Sequence, residues 1–183
     1  MTSPRDLRPN DLSPDILSPH DLRPDRCTLV LAGPDDAAFL HRLFVAVETA
    51  AMPVALPALV RLLDIQYGAR TTTYRQNFPQ ATDLIIQKDG TAVGRAYVDF
   101  SSQPAHLIDI ALLPEWQSQG LGAAVLRALC DGAQARGTQM TLSVIEGQPA
   151  QRLYAKLGFA VTGRTPPHVV MQWSGDTAQV TTP

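Results

Sequence analysis

From residue 27 onward the chain alternates short apolar runs with longer stretches whose apolar residues return every three or four positions. The first pattern predicts strands and the second amphipathic helices. Residues 27–31 read as a strand. Pro34-Asp35-Asp36 opens a helix, because proline lacks a donor that a first turn leaves unused and acids suit the positive end of the helix dipole. Phe39, Leu43, Val47 and Ala50 carry its stripe through about Thr49. A second helix is predicted from about Leu56 to Tyr67, closed by Gly68. Residues 83–88 and 91–100 are strands joined at Asp89-Gly90, a two-residue hairpin signal. Residues 107–113 form another apolar strand. Residues 120–136 form a helix with Leu121, Ala124, Val125, Ala128 and Leu129 on one stripe. A strand at 139–145, a short helix at 149–157 and two closing strands at 159–164 and 168–173 complete the pattern.

A strand–helix–strand crossover around residues 120–136 demands a parallel pair, and the hairpin demands antiparallel neighbours. The expected fold is therefore a single α/β domain, its mixed central sheet of about seven strands flanked by about four helices. Residues 3–26 break the pattern with a five-residue repeat, as in Ser-Pro-Arg-Asp-Leu and Ser-Pro-His-Asp-Leu. A proline in every unit removes backbone donors and interrupts helices and ladders alike. One leucine per unit leaves little to bury, so 1–26 is expected to be a disordered leader, 27–173 the folded domain and 174–183 a flexible tail.

Composition narrows the function by exclusion. A chain of 183 residues with 45% apolar and 17% charged residues suits one packed domain. A net charge of −2 with no Lys/Arg cluster offers no footprint for nucleic acid or an anionic membrane. The longest apolar run, residues 50–60, is cut by Pro53 and Pro57 and is too short to span a bilayer. Two distant cysteines and four scattered histidines match no metal-ligand spacing, so no metal is expected. No apolar leader stands at the start, and a cytoplasmic location is expected.

The informative stretch runs from His106 through Pro114 to Gly122 and straight into the helix. Unsatisfied N–H groups at a helix start attract anions, and Gly120 and Gly122 carry no Cβ to hold a phosphate away from the backbone. The loop reads as a diphosphate cradle. A Walker loop would need a lysine that is missing here. A dinucleotide fingerprint would need a third glycine where Val125 stands and a shorter distance from the strand. A nucleotide-binding α/β protein is thus disfavoured.

Gln117-Ser118-Gln119-Gly120-Leu121-Gly122 fits the pattern Gln/Arg-x-x-Gly-x-Gly/Ala, with the Ile110-Ala-Leu-Leu-Pro114 strand exit upstream. Downstream lies Pro149-Ala150-x-x-Leu153-Tyr154-x-x-Leu157-Gly158-Phe159. Together these segments resemble the GNAT superfamily of acetyl-CoA-dependent N-acyltransferases, over about residues 27–173 and most specifically 106–159. The resemblance implies that 118–123, meaning Ser118, Gln119, Gly120, Leu121, Gly122 and Ala123, hold the diphosphate of acetyl-CoA, with Gln117 bracing the loop. It implies a bulged strand splayed from its parallel neighbour, so that Ile110, Ala111 and Leu112 line the acyl-pantetheine gap by backbone. The N–H near Leu112 would polarise the thioester, and Tyr154 would protonate the leaving thiolate.

Gln148 replaces the asparagine often found before Pro-Ala, and Ser143 stands where several members carry a glutamate. No general base is therefore assigned, and Asp109, Glu146 and His106 remain candidates. The acceptor is expected to be a small-molecule amine or a protein or peptide amine, bounded by the first two helices and the last hairpin, including Gln66, Tyr67, Tyr74, Phe78 and Trp173. The alternative is a sensor that binds acyl-CoA without turnover. Many relatives pair through sheet edges, which makes a homodimer an expectation by resemblance.

Overall fold

In the computed structural model the described residues are 27–50 and 57–175. The pentapeptide repeats and the end of the tail lie outside them. Seven strands form one sheet in the order β1-β2-β3-β4-β5-β7-β6. The strands are β1 Cys27–Leu31, β2 Thr82–Lys88, β3 Thr91–Asp99, β4 Ala105–Leu112, β5 Met140–Ile145, β6 Ala160–Thr165 and β7 His168–Trp173. Four α-helices accompany them: α1 Ala37–Thr49, α2 Pro57–Asn77, α3 Leu121–Ala135 and α4 Pro149–Lys156. The fold class and the element order follow the sequence pattern.

The first three strands and β4 form an antiparallel meander, with Asp89 and Gly90, both at positive φ, making the predicted two-residue turn. The β4–α3–β5 crossover supplies the one parallel pair among the described residues, and β5 continues antiparallel to β7. Core formation follows the stripes. Val125, Leu126, Leu129 and Ala133 of α3 close on Leu84, Ile86, Ala96, Val98 and Leu142 of the sheet. A separate cluster joins Phe39 and Leu43 of α1 to Ile85 of β2. The alternation of Leu84, Ile85 and Ile86 thus sends neighbouring side chains to opposite faces of the sheet.

One element departs from expectation. The second helix continues for nine residues beyond Gly68, to Asn77. A Cβ at Gly68 would meet nothing within 4 Å, so the glycine sits on an open face. There it costs the helix only about 1 kcal/mol relative to alanine. Arg70 and Tyr74, beyond the glycine, hold the extension through ring and charge contacts described below.

Candidate active site

The two parallel strands touch only at one end. Residues 105–107 of β4 pair with 140–142 of β5, and past that point the strands part. On the other side of β4 the register against β3 shifts between Tyr97 and Val98, so that Ile108 is an extra residue. Such a bulge bends its strand and leaves main-chain groups without ladder partners. Leu113 N–H donates to Val93 O at 2.9 Å, and Leu112 lies opposite Gly94. Antiparallel pairs alternate between bonded and non-bonded residues. Ala111 therefore exchanges hydrogen bonds with Arg95, whereas Ile110 and Leu112 turn their main-chain groups away from β3, into the gap.

Gly94 makes this approach possible. A Cβ there would fall 2.4 Å from Ala111 O and 2.6 Å from the Leu112 side chain. In the gap, Gln117 Nε2 donates to Leu112 O at 2.9 Å, and among the described residues the Leu112 N–H finds no partner. Gln117 so ties the loop to the strand it follows.

The loop that leads into α3 presents a second set of open donors. Ala124 N–H is the first to close a helical bond, to Gly120 O at 3.0 Å. Among the described residues, the amides of 118–123 find no backbone partner. Ser118 has φ +59° and Gly120 φ +82°, left-handed values that curl the turn so that successive N–H groups converge. At Gly120 only glycine takes that shape without strain. The Gly122 Cα faces Leu112 and Leu153, both more than 3.5 Å from where a Cβ would stand. Converging amides at a helix N-terminus form an anion cradle.

Cradle and gap open into one cavity of about 520 Å³, lined by Ile110, Ala111, Leu112, Gln117, Ser118, Gly120, Gly122 and Ala123 on that side. Gln119 instead turns outward, donating to Glu115 O at 2.7 Å, and the Leu121 side chain is buried in the core. Gln148 precedes α4 with no side-chain cap and does not line the cavity, although Pro149 and Ala150 do. Tyr154 lines it from α4, only 8% exposed, with its ring 5.8 Å from that of Phe159. Burial, and then the charge of Asp109, push its phenol up to about 12.

The far half of the cavity is built by α1, α2 and β3. Leu40, Leu43, Phe44 and Val47 give an apolar wall, with Glu48 at its end and Tyr67, Arg70 and Arg95 facing it. Arg95 is buried and bound through both Nε and Nη2 to Asp83, at 2.6 and 2.8 Å. Its Nη1 lies 3.6 Å from Asp109 Oδ2, and Arg70 Nη2 donates to the same oxygen at 3.2 Å. The Arg70 guanidinium is held 4.7 Å over the Phe44 ring and 5.6 Å from that of Tyr74.

Of the three candidate bases, only Asp109 reaches this cavity. Glu146 is exposed and pairs with Arg164 at 3.2 Å. His106 stacks on Phe78, with Nδ1 3.1 Å from Thr141 Oγ1, and burial lowers its pKa despite the opposing pull of Asp99. Ser143 is exposed on β5, opposite Val170.

Tyr67 lines this cavity and a neighbouring one of about 560 Å³, and Tyr74 and Phe78 line only the latter. Gln66 is exposed, and Trp173 packs beside Gly158 at the core margin. Glu48, Arg70 and Arg95 were not singled out in the sequence. They come from three separate elements, and no spacing links them. Among the described residues, no three His, Cys, Asp or Glu side chains gather as a metal site would require.

Comparison with known proteins then decides the family. Residues 56–159, more than half the chain, match the model of the acetyltransferase (GNAT) family. The chain belongs to the GNAT family. A Bacillus subtilis (strain 168) relative, provisionally named a [ribosomal protein bS18]-alanine N-acetyltransferase, is 34% identical over 88 residues, which are 46% of this chain and 58% of that one. The match thus spans just over half the length of this relative. Solved GNAT structures share the fold at lower identity. The Thermoplasma acidophilum PaiA N-acetyltransferase in complex with coenzyme A superposes with a TM-score of 0.64 at 16% identity, covering 80% of this chain and 98% of its own. The Escherichia coli ribosomal-protein-S18-alanine N-acetyltransferase gives 0.58 at 20% identity, covering 84% and 99%. Among the described residues, no helix of this GNAT chain is long and apolar enough to cross a membrane.

Proposed function

We propose that the protein is an N-acetyltransferase that moves an acetyl group from acetyl-CoA to a primary amine by direct attack in a ternary complex. One observation carries this reading. A single cavity, lined by Ser118, Gly120, Gly122 and Ala123 of the loop with open amides, runs past Leu112 to a pocket holding Tyr154 and charged side chains. Its parts fit acetyl-CoA in sequence: an anion cradle for the diphosphate, a parted strand pair for pantetheine, and an enclosed end for the thioester. The T. acidophilum structure of this fold was solved with coenzyme A, which supports the assignment.

In the reaction the neutral amine attacks the thioester carbonyl and the C–N bond forms. The Leu112 N–H receives the developing oxyanion without reorganisation. The C–S bond then breaks, and sulfur leaves as thiolate while the amine proton passes to solvent. Tyr154, with its phenol near 12, stays protonated at neutral pH. Tyr154 assists as a hydrogen-bond donor to the departing sulfur, and the proton that completes the thiol is balanced by the one the amine gives to solvent.

The acceptor class follows the relatives, whose names specify an alanine of a ribosomal protein. A protein or peptide amine is thus the first acceptor to test, ahead of small amines. Their substrate also supports a cytoplasmic setting. Ser143, in the place of a family glutamate, favours the sensor as the second reading. Thiol release from acetyl-CoA over an amine panel tests both. The enzyme releases coenzyme A in proportion to acceptor, whereas binding without release would mark the sensor.

A further inference from the structure

The acceptor half of the cavity contains charges that binding of acetyl-CoA does not use. Three of them, Arg95, Asp109 and Arg70, join Asp83 of the neighbouring cavity in a chain of balanced charge. Its inner end is saturated, since Arg95 is clamped on Asp83 through two nitrogens. Its outer end is not. Both cations approach Asp109 through Oδ2, and Oδ1 accepts no hydrogen bond from the described residues. Arg70 spends one N–H on Asp109 and keeps the remaining edge of its guanidinium, with its side chain 30% exposed. The Phe44 and Tyr74 rings fix that plane, so the fork is set before any ligand arrives. One free carboxylate oxygen and one free guanidinium edge therefore stand side by side on the cavity wall.

The geometry points to an acceptor that offers a cationic amine and a nearby carbonyl oxygen: the Asp109–Arg70 pair recognises an α-aminoacyl group, Asp109 docking the ammonium, which gives one proton to solvent before the neutral amine attacks, and Arg70 the oxygen on the carbon next to Cα. This rests on the transferase reading and narrows its substrate. A lysine side chain or a plain alkylamine carries the amine without the oxygen. It would cover the Arg70 fork and leave it unpaired, and sites built around a polar partner reject analogues lacking that partner most strongly. Arg70 is a specificity-determining residue in this scheme, and Asp109 a positioning one.

The test compares four acceptors at saturating acetyl-CoA: an Ala-initiated peptide amide, free alanine, the same peptide N-terminally blocked but carrying a lysine, and propylamine. The expected kcat/KM for at least one of the first two exceeds both others by on the order of 100-fold. Which of the two leads tells whether the oxygen read is an amide carbonyl or a carboxylate. Arg70→Met should pull the ratio of the best α-amine acceptor to propylamine toward one, and Arg70→Lys should restore part of it. The Kd for acetyl-CoA, measured alongside, should stay unchanged in both variants. Equal use of all four acceptors, or an equal loss on every acceptor in Arg70→Met with the ratio preserved, overturns the inference while leaving the transferase intact. Failure of the wild-type protein to bind acetyl-CoA at millimolar concentration overturns both.

Discussion

The two ends of the β4–β5 pair share the same strands and behave oppositely. At residues 105–107 and 140–142 they are bonded in register, and Ala105, Leu107, Met140 and Leu142 are nearly or wholly excluded from solvent. A few residues later the strands diverge around the Ile108 bulge. There Ile110 and Leu112 face a cavity, and Ser143 and Ile145 are exposed. The closed end gains stability from buried area, and the open end keeps donors unpaired that an unbroken ladder would consume. One strand pair thus anchors the fold and exposes the site, with the bulge as the boundary between the two duties.

That division predicts which substitutions damage folding and which damage binding. The largest effect should come from Gly94→Val, whose side chain would collide with Ala111 O and the Leu112 side chain. Overpacking against backbone should cost roughly 3 kcal/mol or more, read as a lower denaturation midpoint with acetyl-CoA binding lost as β4 shifts. Leu142→Ala, at the closed end, should cost about 2–5 kcal/mol of stability. It should leave acetyl-CoA affinity of the folded protein within about twofold. If affinity fell with stability there, the two ends would not be independent.

Open-end changes should do the reverse. Tyr154→Phe should lower kcat about 10–100-fold, the loss of one hydrogen bond to a charged atom, with acetyl-CoA Kd unchanged. Gly122→Val should weaken acetyl-CoA by on the order of tenfold by filling the cradle, with little change in thermal midpoint.

The smallest effect at neutral pH is a titration. Burial raises Cys130 from 9.0 and Tyr154 from 10.0, each to about 12. Raised pKa values mean that the unfolded chain loses these protons first. Their contribution is intact below pH 9 and is lost progressively between about pH 9 and 12. The thermal midpoint should therefore begin to fall near pH 9, and Cys130→Ala should make that fall shallower without moving its onset, since burial also raises the Cys27 thiol above 9.0.

The sequence revealed these regions unequally, for physical reasons. Strands such as 27–31 and 168–173 are short apolar runs bounded by turn residues, and their ends appeared within a residue or two. The Gln117–Gly122 loop was readable because glycine placement and a helix start are local features. The extension of α2 past Gly68 was not, since Thr71, Thr72 and Thr73 carry no apolar stripe. The helix is held there by Arg70 and Tyr74, through partners far along the chain. The same distance hid Glu48, Arg70 and Arg95, which meet only once α1, α2 and β3 stack around β4. The parting of β4 from β5 leaves no local mark either, because pairing and its absence use the same residue types.

The central claim is that open main-chain amides, at Leu112 and at 118–123, receive acetyl-CoA. Titrating isotopically labelled protein with acetyl-CoA and following backbone amide resonances tests it most directly. The largest shifts should fall at Leu112, Gly120, Leu121, Gly122 and Ala123, with Ala105, His106 and Leu107 nearly still. Saturable binding that left the first set unmoved, or moved the closed end instead, would contradict it.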